Sequence, residues 1–201
     1  MAIRKSRQTR FTIIQAGDPR LKSANKQISN FKSIKTQKLI KDLIQTMHKT
    51  DLVGIAASQI GENYMVFVTH PRNTKSRKLG KTDKSRVYIN PKITFKSKNQ
   101  NIIYEGCGSV ADGAIFGPVQ RSSEVEVQAI DEKGQKFSLR ADGILARIIQ
   151  HEYDHLDGME FIQKVSDYSK IVVQKHYRKF IRNSPLQKKN SQITRIEYKS
   201  L

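Results

Sequence analysis

The feature that most constrains this chain is the sequence HEYDHLDG at residues 151–158, in which two histidines stand four residues apart. Apolar residues at helical spacing precede it, namely Ile144, Leu145, Ile148 and Ile149. This pattern predicts a buried helix over about residues 142–157, capped by Asp142 or Gly143. Residues four apart share one helix face, so both imidazoles can bind one metal ion, and Glu152 can reach a water molecule on that metal. A metal-dependent hydrolase is therefore indicated, although an HExxH pattern by itself also arises by chance.

A third metal ligand is expected, because a tetrahedral catalytic metal uses three protein ligands and keeps one position open. The chain has one cysteine, Cys107, which lies between glycines in the sequence YEGCGS at residues 104–109. With one cysteine the chain cannot form an intramolecular disulfide. The absence of disulfides is typical of proteins in a reducing compartment. Flanking glycines favour close backbone approach over core packing. Cys107 is therefore a candidate ligand beside His151 and His155, and an inert buried thiol is the alternative.

A third segment, LVGIAASQIG at residues 52–61, combines small residues with the amide of Gln59. Alone, it would predict a tight turn with a hydrogen-bonded core glutamine. In chain order, however, LVGIAASQ, EGCGS and HEYDH resemble the three signature motifs of peptide deformylases, GxGxAAxQ, EGCxS and HExDH. The resemblance extends over about residues 11–165.

The resemblance implies a role for each matching position. Cys107, His151 and His155 would bind the metal, which in this family is typically ferrous iron, with zinc, nickel or cobalt as substitutes. Glu152 would act as general base, and Gln59 with the backbone N–H of Gly108 would stabilise the developing oxyanion. A methionine side-chain pocket would be formed by Val53, Gly54, Ile103, Ile144 and Ile148. Arg121 matches an arginine near the substrate peptide. The implied reaction is hydrolysis of the N-formyl amide at the start of a new polypeptide, with release of formate.

The chain departs from the family pattern at several positions. Leu52 stands where the family usually has glycine, Ser58 where proline or another small residue is common, and Gly108 where leucine is usual. Residues 110–118 also differ from the usual SVPG or SIPG start. Leucine cannot adopt glycine's unusual backbone angles without cost, and Leu52 could project into the peptide groove. Gly108 keeps its N–H donor but would loosen its loop and remove an apolar wall. We therefore predict intact chemistry with altered peptide preference.

The coarse secondary structure indicates an α+β fold with antiparallel sheets around the metal helix. An amphipathic helix is predicted at residues 33–49, with Ile34, Leu39, Ile40, Leu43, Ile44 and Met47 as its apolar positions. Strands are predicted at residues 64–69, 87–93, 125–130 and 136–139. The organisation expected from this pattern is a basic N-terminal arm (1–10), a catalytic domain (11–166), a basic C-terminal helix (167–182) and a flexible basic tail (183–201).

The net charge of +19 is concentrated in three segments. Residues 1–38 carry ten basic side chains and one acidic, residues 70–98 ten and one, and residues 168–201 nine and one. The remainder, which bears the motifs, is net acidic. Such basic segments favour a polyanionic partner, and the resemblance implies ribosome or ribosomal RNA contact through the C-terminal helix. A merely solvated basic surface is the alternative. Residues 71–86 are expected to form an exposed loop.

The hydropathy of the sequence indicates neither a membrane-spanning segment nor a secretory signal. No apolar stretch is long enough to span a bilayer, and the basic N-terminus lacks the apolar core of a secretory signal. We expect a monomer without membrane contact, located in the cytoplasm or in an organelle with bacterial-type translation.

Besides the deformylase interpretation, two functions stay open. A related metal amidase could act on another N-acyl amine or peptide through a groove reshaped by Leu52 and Gly108. Alternatively, the chain could be a ribosome- or RNA-binding scaffold that has lost catalysis, although the intact ligands, Glu152 and Gln59 argue against this. An ordinary HExxH peptidase is a weaker alternative, because such enzymes rarely take a cysteine ligand from a distant segment.

Overall fold

The structure is a computed structural model that describes residues 12–73 and 78–201. The predicted N-terminal arm, residues 1–10, lies outside the described residues, as do residues 74–77 of the predicted 71–86 loop. Within the described part, no helix combines the length and the apolar character needed to cross a bilayer.

Nine strands form two antiparallel sheets in the described residues. They are β1 (Gly54–Ala56), β2 (Val66–Thr69), β3 (Arg86–Lys96), β4 (Gln100–Glu105), β5 (Ile115–Ser122), β6 (Glu124–Ile130), β7 (Lys136–Asp142), β8 (Val172–Val173) and β9 (Ile196–Ser200). The larger sheet has the order β1-β2-β3-β6-β7-β9, and the smaller one has the order β4-β5-β8. The predicted α+β class with antiparallel sheets is confirmed. Gly117 and Pro118 interrupt the apolar pattern of β5, which explains why the sequence did not predict that strand.

The first helix, α1, spans Ile34–Lys49 and begins where the Ser33 side chain accepts a hydrogen bond from the Thr36 N–H. Leu39, Ile40, Leu43 and Met47 are buried and pack in one core cluster with side chains of β1, β2 and β3. Ile34 was predicted to belong to this apolar face, but it is 88% exposed. It occupies the first helical position, five residues before Leu39, which is the first buried apolar residue of the helix.

The second helix, α2, spans Gly143–Leu156 and follows directly on β7. Its Leu145, Ala146 and Ile149 pack in a second core cluster against the inward-facing residues of β6 and β7. The helix also contacts β1, β2 and β5, so it lies between the two sheets. A helix held on several sides gives its side chains fixed positions, which suits a site that needs exact ligand geometry.

The C-terminal region differs from the prediction. Instead of one helix over 167–182, the chain forms a 3-10 turn (Tyr168–Lys170), strand β8, the short helix α3 (Gln174–His176) and a π-helical turn (Tyr177–Ile181). The β-branched Ile171, Val172 and Val173 favour extended structure, and β8 pairs with the edge of β5.

The predicted flexible tail over 183–201 is also wrong in its secondary structure. Ser184 caps helix α4 (Pro185–Ser191), and β9 pairs with β7. The Asp142 carboxylate accepts hydrogen bonds from the backbone N–H groups of Thr194 (2.8 Å) and Arg195 (2.9 Å). These partners lie about fifty residues away along the chain, so local polarity could not reveal them.

Candidate active site

Helix α2 and the loop after β4 bring three potential metal ligands together. The ligand atoms of Cys107, His151 and His155 all lie within 4.8 Å of one another, and Cys107 Sγ is 3.2 Å from His155 Nε2. A metal bound at typical lengths, about 2.3 Å from sulfur and about 2.1 Å from nitrogen, requires a separation of about 3.5 Å in tetrahedral geometry. The residues therefore fit a divalent metal with little movement.

Burial and neighbouring charges set the protonation of the two imidazoles. For His155, burial lowers the pKa well below its usual value, and repulsion by His151 adds to this. For His151, burial also lowers the pKa, but hydrogen bonds to Cys107 and Glu105 outweigh it, so the pKa lies well above its usual value. A metal bound by His151 has to displace that proton. The affinity for the metal therefore decreases as the pH is lowered.

A buried carboxylate, Glu105 at the end of β4, positions His151. Its Oε2 is 2.9 Å from His151 Nδ1, which leaves Nε2 of that ring for a metal. Arg121 donates to both oxygens of Glu105 at 2.7 and 3.0 Å, and Arg147 donates to Oε1 at 2.9 Å. Burial raises the pKa of Glu105, but the charge of Arg121 and the His151 hydrogen bond outweigh it and hold the pKa well below its usual range.

Arg121 does not occupy the position near the substrate that was predicted for it. Its side chain is buried, and its third donor group, Nη1, binds Asp154 Oδ2 at 2.6 Å. It is not among the residues that line the cavity described below. Because its guanidinium is bound by the carboxylates of Glu105 and Asp154, Arg121 supports Glu105 and α2.

Glu152 lies one residue after the first histidine ligand and is 4% exposed. Its Oε2 has no hydrogen-bond partner among the described residues. Burial raises the pKa of this carboxyl to about 7, although the charge of His151 opposes the shift. A buried carboxyl that titrates near neutrality and keeps one oxygen free can accept a proton and later return it.

Gln59 belongs to the 3-10 turn Ala57–Ile60 that follows β1. Its Oε1 accepts the Ala56 N–H at 2.8 Å, so its amide nitrogen points toward Cys107 Sγ (3.4 Å) and Ser109 Oγ (3.3 Å). The donor end of the amide is thus held beside the metal ligands, where a developing oxyanion would need it. Ser58, another departure from the family pattern, donates its hydroxyl to the His155 carbonyl at 3.3 Å and so helps to attach this turn to α2.

The Gly108 loop is braced, contrary to the expected loosening. Gln15 donates its amide to the Gly108 carbonyl at 2.8 Å, and its Oε1 accepts the Asp112 N–H at 2.9 Å. Ala111 and Asp112 adopt left-handed backbone angles, with φ of 48° and 51°. One glutamine side chain therefore ties together the part of the loop that departs from the family pattern.

These groups face one cavity of about 640 Å³. The apolar residues that the resemblance assigned to a methionine pocket, Val53, Gly54, Ile103, Ile144 and Ile148, all line it together with Gln59, Cys107, Gly108, His151 and Glu152. Gly54 is required by close approach, because a Cβ there would overlap the Glu152 carboxylate and lie 2.5 Å from Ile148 Cγ2.

Leu52 and Gly108 form a complementary pair. A Cβ on residue 108 would lie 3.2 Å from Leu52 Cδ1 and 3.1 Å from Ile13 Cδ1, so the Leu52 side chain occupies the space beside Gly108. The unusual backbone angle of this segment falls on Asp51, with φ of 58°, and not on Leu52. The two departures thus compensate for each other, because the Leu52 side chain fills space that a leucine at residue 108 would need.

We expect this compensation to appear as non-additive stability. Gly108→Leu should destabilise by about 1–3 kcal/mol through overpacking, and Leu52→Gly by a similar amount through the space that it leaves. In the double variant the new leucine fills that space, so the loss should be about 1–2 kcal/mol smaller than the sum. Urea unfolding of the four proteins measures this, and strictly additive values would contradict the pairing.

The sequence did not reveal several residues of the site. Glu105 stands directly before Gly106 and Cys107 in the second motif, yet its contact with His151 depends on how β4 lies against α2. Arg147 follows an ordinary helical pattern and gives no signal of its own. Residues 182–193, which also line the cavity, belong to the region that was expected to be peripheral.

Comparison with known proteins agrees with this geometry. A family model described as polypeptide deformylase matches residues 11–170. A peptide deformylase of Pseudothermotoga lettingae is 37% identical over 168 residues, which cover 84% of this chain and 90% of that protein. One of Neisseria meningitidis is 37% identical over 154 residues, which cover 77% and 86%.

Solved structures show the same likeness. A class I type b peptide deformylase from Acinetobacter baumannii, bound to Met-Ala-Ser, has a TM-score of 0.73 at 29% identity and covers 77% of this chain and 98% of its own. A peptide deformylase from Synechococcus elongatus in complex with actinonin has a TM-score of 0.70 at 32% identity, with coverage of 85% and 86%.

Proposed function

Because this chain belongs to the polypeptide deformylase family, we propose that it removes the formyl group from the N-terminal formylmethionine of new polypeptides and releases formate. The observation that carries the proposal is the convergence of Cys107, His151 and His155 with Glu152 and Gln59 around one apolar cavity. Because the members of this family are enzymes that depend on a metal, this chain is a metal-dependent enzyme.

The positions of the side chains support the role proposed for each residue. Cys107, His151 and His155 would hold a divalent metal, which when bound would supply Lewis-acid chemistry to the formyl carbonyl and to water. Glu152 takes a proton from the attacking water at its free oxygen and then transfers it to the leaving amine. The Gln59 amide and the Gly108 N–H donate hydrogen bonds to the carbonyl oxygen as it becomes negative.

The apolar residues of the cavity lining would bind the methionine side chain of the substrate. Ile103, Ile144 and Ile148, with Val53 and Gly54, surround a dry space, and an unbranched thioether adapts well to such a space. We propose that the space between the metal ligands and Gln59 admits the small formyl group and excludes larger acyl groups. Arg121 has a supporting role in this proposal, through Glu105.

For the metal we propose ferrous iron, with zinc, nickel or cobalt as functional substitutes. A thiolate with two imidazoles binds all four of these late divalent ions, so the ligand set alone permits each of them. We further propose a monomer that works in the cytoplasm, or in an organelle with bacterial-type translation, where formylated chains are made.

A contact with the ribosome is also proposed, through the exposed Lys175, Arg178 and Lys179. These side chains lie on α3 and the following π-helical turn, a shorter structure than the predicted 167–182 helix. Their charge favours ribosomal RNA by counterion release. The reading as an amidase for other acyl groups is not favoured, and neither is that of a scaffold without catalysis, since the ligands and Glu152 are all in place.

The test is formate release from formyl-Met-Ala-Ser by protein loaded anaerobically with ferrous iron. We expect one metal ion per chain and formate in step with free amine, and we expect no formate after chelation. Acetyl-Met-Ala-Ser is the matched control, because it differs only in the acyl group and should not react. Absence of formate with both ferrous iron and nickel would reject the proposal, and hydrolysis of the acetyl peptide would support the broader amidase.

A further inference from the structure

The lining of the cavity also includes residues 78–81 and eight residues of the segment 182–193. The lining that these two segments form, the basic mouth, has five cationic side chains, four of them exposed lysines, namely Lys78, Lys81, Arg182, Lys188 and Lys189. Asp51 is the acidic side chain among the lining residues there, since Glu105 and Glu152 lie at the metal end and Glu105 already binds two arginines. The mouth therefore has a clear excess of positive charge.

The C-terminal wall of the mouth is docked in place. Gln187 is buried, and its amide pairs with both backbone groups of Tyr104 in β4: Oε1 accepts the N–H at 3.1 Å and Nε2 donates to the carbonyl at 3.3 Å. Asn190 donates to the Ile102 carbonyl at 3.0 Å. Helix α4 thus covers the edge of β4 that faces away from β5, and it holds Lys188 and Lys189 beside the cavity.

We propose that the basic mouth selects formylated peptides that carry acidic side chains immediately after the methionine. This inference rests on the proposed function: with the formyl group at the metal and the methionine against the apolar residues, the basic mouth is the part of the lining left for the residues that follow. Cations that line a cleft attract carboxylates and repel lysine or arginine, so they both favour one class of substrate and disfavour another.

The cations of the mouth differ from those proposed to meet the ribosome. Lys175, Arg178 and Lys179 are exposed and are not among the lining residues, whereas Arg182, Lys188 and Lys189 are. A peptide with acidic residues reaches the second set from inside the cavity. Two matched variants can therefore be made. One removes charge at the basic mouth, and the other removes the same charge from the exposed cations away from it.

The experiment compares kcat/KM of the metal-loaded enzyme for formyl-Met-Glu-Glu, formyl-Met-Ala-Ser and formyl-Met-Lys-Lys. We expect the acidic peptide to exceed the basic one by about tenfold at low ionic strength, as expected for a few partly exposed charge pairs. The ratio should fall toward unity at about 1 M salt, where the Debye length is about 3 Å. In Lys188→Gln/Lys189→Gln the ratio should fall by about threefold, and in the control Lys175→Gln/Arg178→Gln it should stay as in wild type.

The ratio of kcat/KM for the acidic peptide to kcat/KM for the basic peptide is taken within each protein. A loss of activity that affects both peptides equally therefore leaves the ratio unchanged. Equal ratios in wild type and the Lys188→Gln/Lys189→Gln variant would overturn the inference while the proposed function stood, provided that formyl-Met-Ala-Ser is deformylated. If that peptide is not deformylated at all, the proposed function itself fails. If the mouth variant instead lost co-sedimentation with ribosomes and kept its peptide ratio, the mouth would be an RNA contact and the inference would be wrong.

Discussion

Glu152→Gln is expected to lower kcat for formate release by about two to four orders of magnitude, the usual contribution of a general acid–base residue. Glutamine keeps the shape of the side chain beside Gly54 and Ile148, which is important because this contact has no spare room. It cannot accept the proton of the attacking water, so the reaction loses both the base and the later acid. Metal binding should persist, since Cys107, His151 and His155 are untouched.

Three measurements separate this effect from misfolding. Metal content per chain and the urea midpoint should stay close to wild type, while steady-state formate release falls. KM should change less than kcat, because Glu152 contributes mainly to the transition state. Full activity in a metal-loaded Glu152→Gln protein would show that another group moves the proton, and loss of the metal would show that Glu152 has a structural role at the site.

Glu105→Gln is expected to lower the free energy of unfolding by about 3–5 kcal/mol, because it leaves Arg121 and Arg147 buried with one carboxylate, Asp154, in place of two. Metal affinity should also fall, by about 10- to 100-fold, since His151 loses the partner that orients its ring. The control is Glu124→Gln: Glu124 binds Arg140 and Arg195 at 2.6 Å each near the surface and should cost at most about 1 kcal/mol.

Because of Glu105, the free energy of unfolding of the wild-type protein should decrease at acidic pH. The folded pKa of Glu105 is depressed, so its contribution is present above the unfolded pKa of about 4.3 and is lost as the pH falls further toward the folded value. Metal-free wild type should therefore lose stability steeply below about pH 4, and Glu105→Gln should lose less over that window. Equal slopes in the two proteins would show that Glu105 does not carry the charge assigned to it.

Much of the fold was accessible from local patterns. The amphipathic spacing of α1 and α2 and the short apolar runs of β2, β3, β6 and β7 were readable from the sequence. Five strands, β1, β4, β5, β8 and β9, were not predicted. β1 and β8 have only three and two residues, Gly117 and Pro118 interrupt β5, and β9 depends on pairing with β7, more than fifty residues away. The C-terminal region was misjudged for the same reason: polar side chains that suggest a loose tail are held by Tyr104, Ile102 and Asp142.

The sequence by itself determined the chemistry of the site. The HExxH spacing, the cysteine between glycines and Gln59 are local facts, and a helix places residues four apart on one face in any fold. The tertiary structure alone decided the surroundings: that Glu105 orients His151, that Arg121 lies beneath the site, and that Leu52 fills the space beside Gly108. It also decided that α4 forms a wall of the cavity. These outcomes depend on contacts between residues far apart in the chain, and no local pattern contains such contacts.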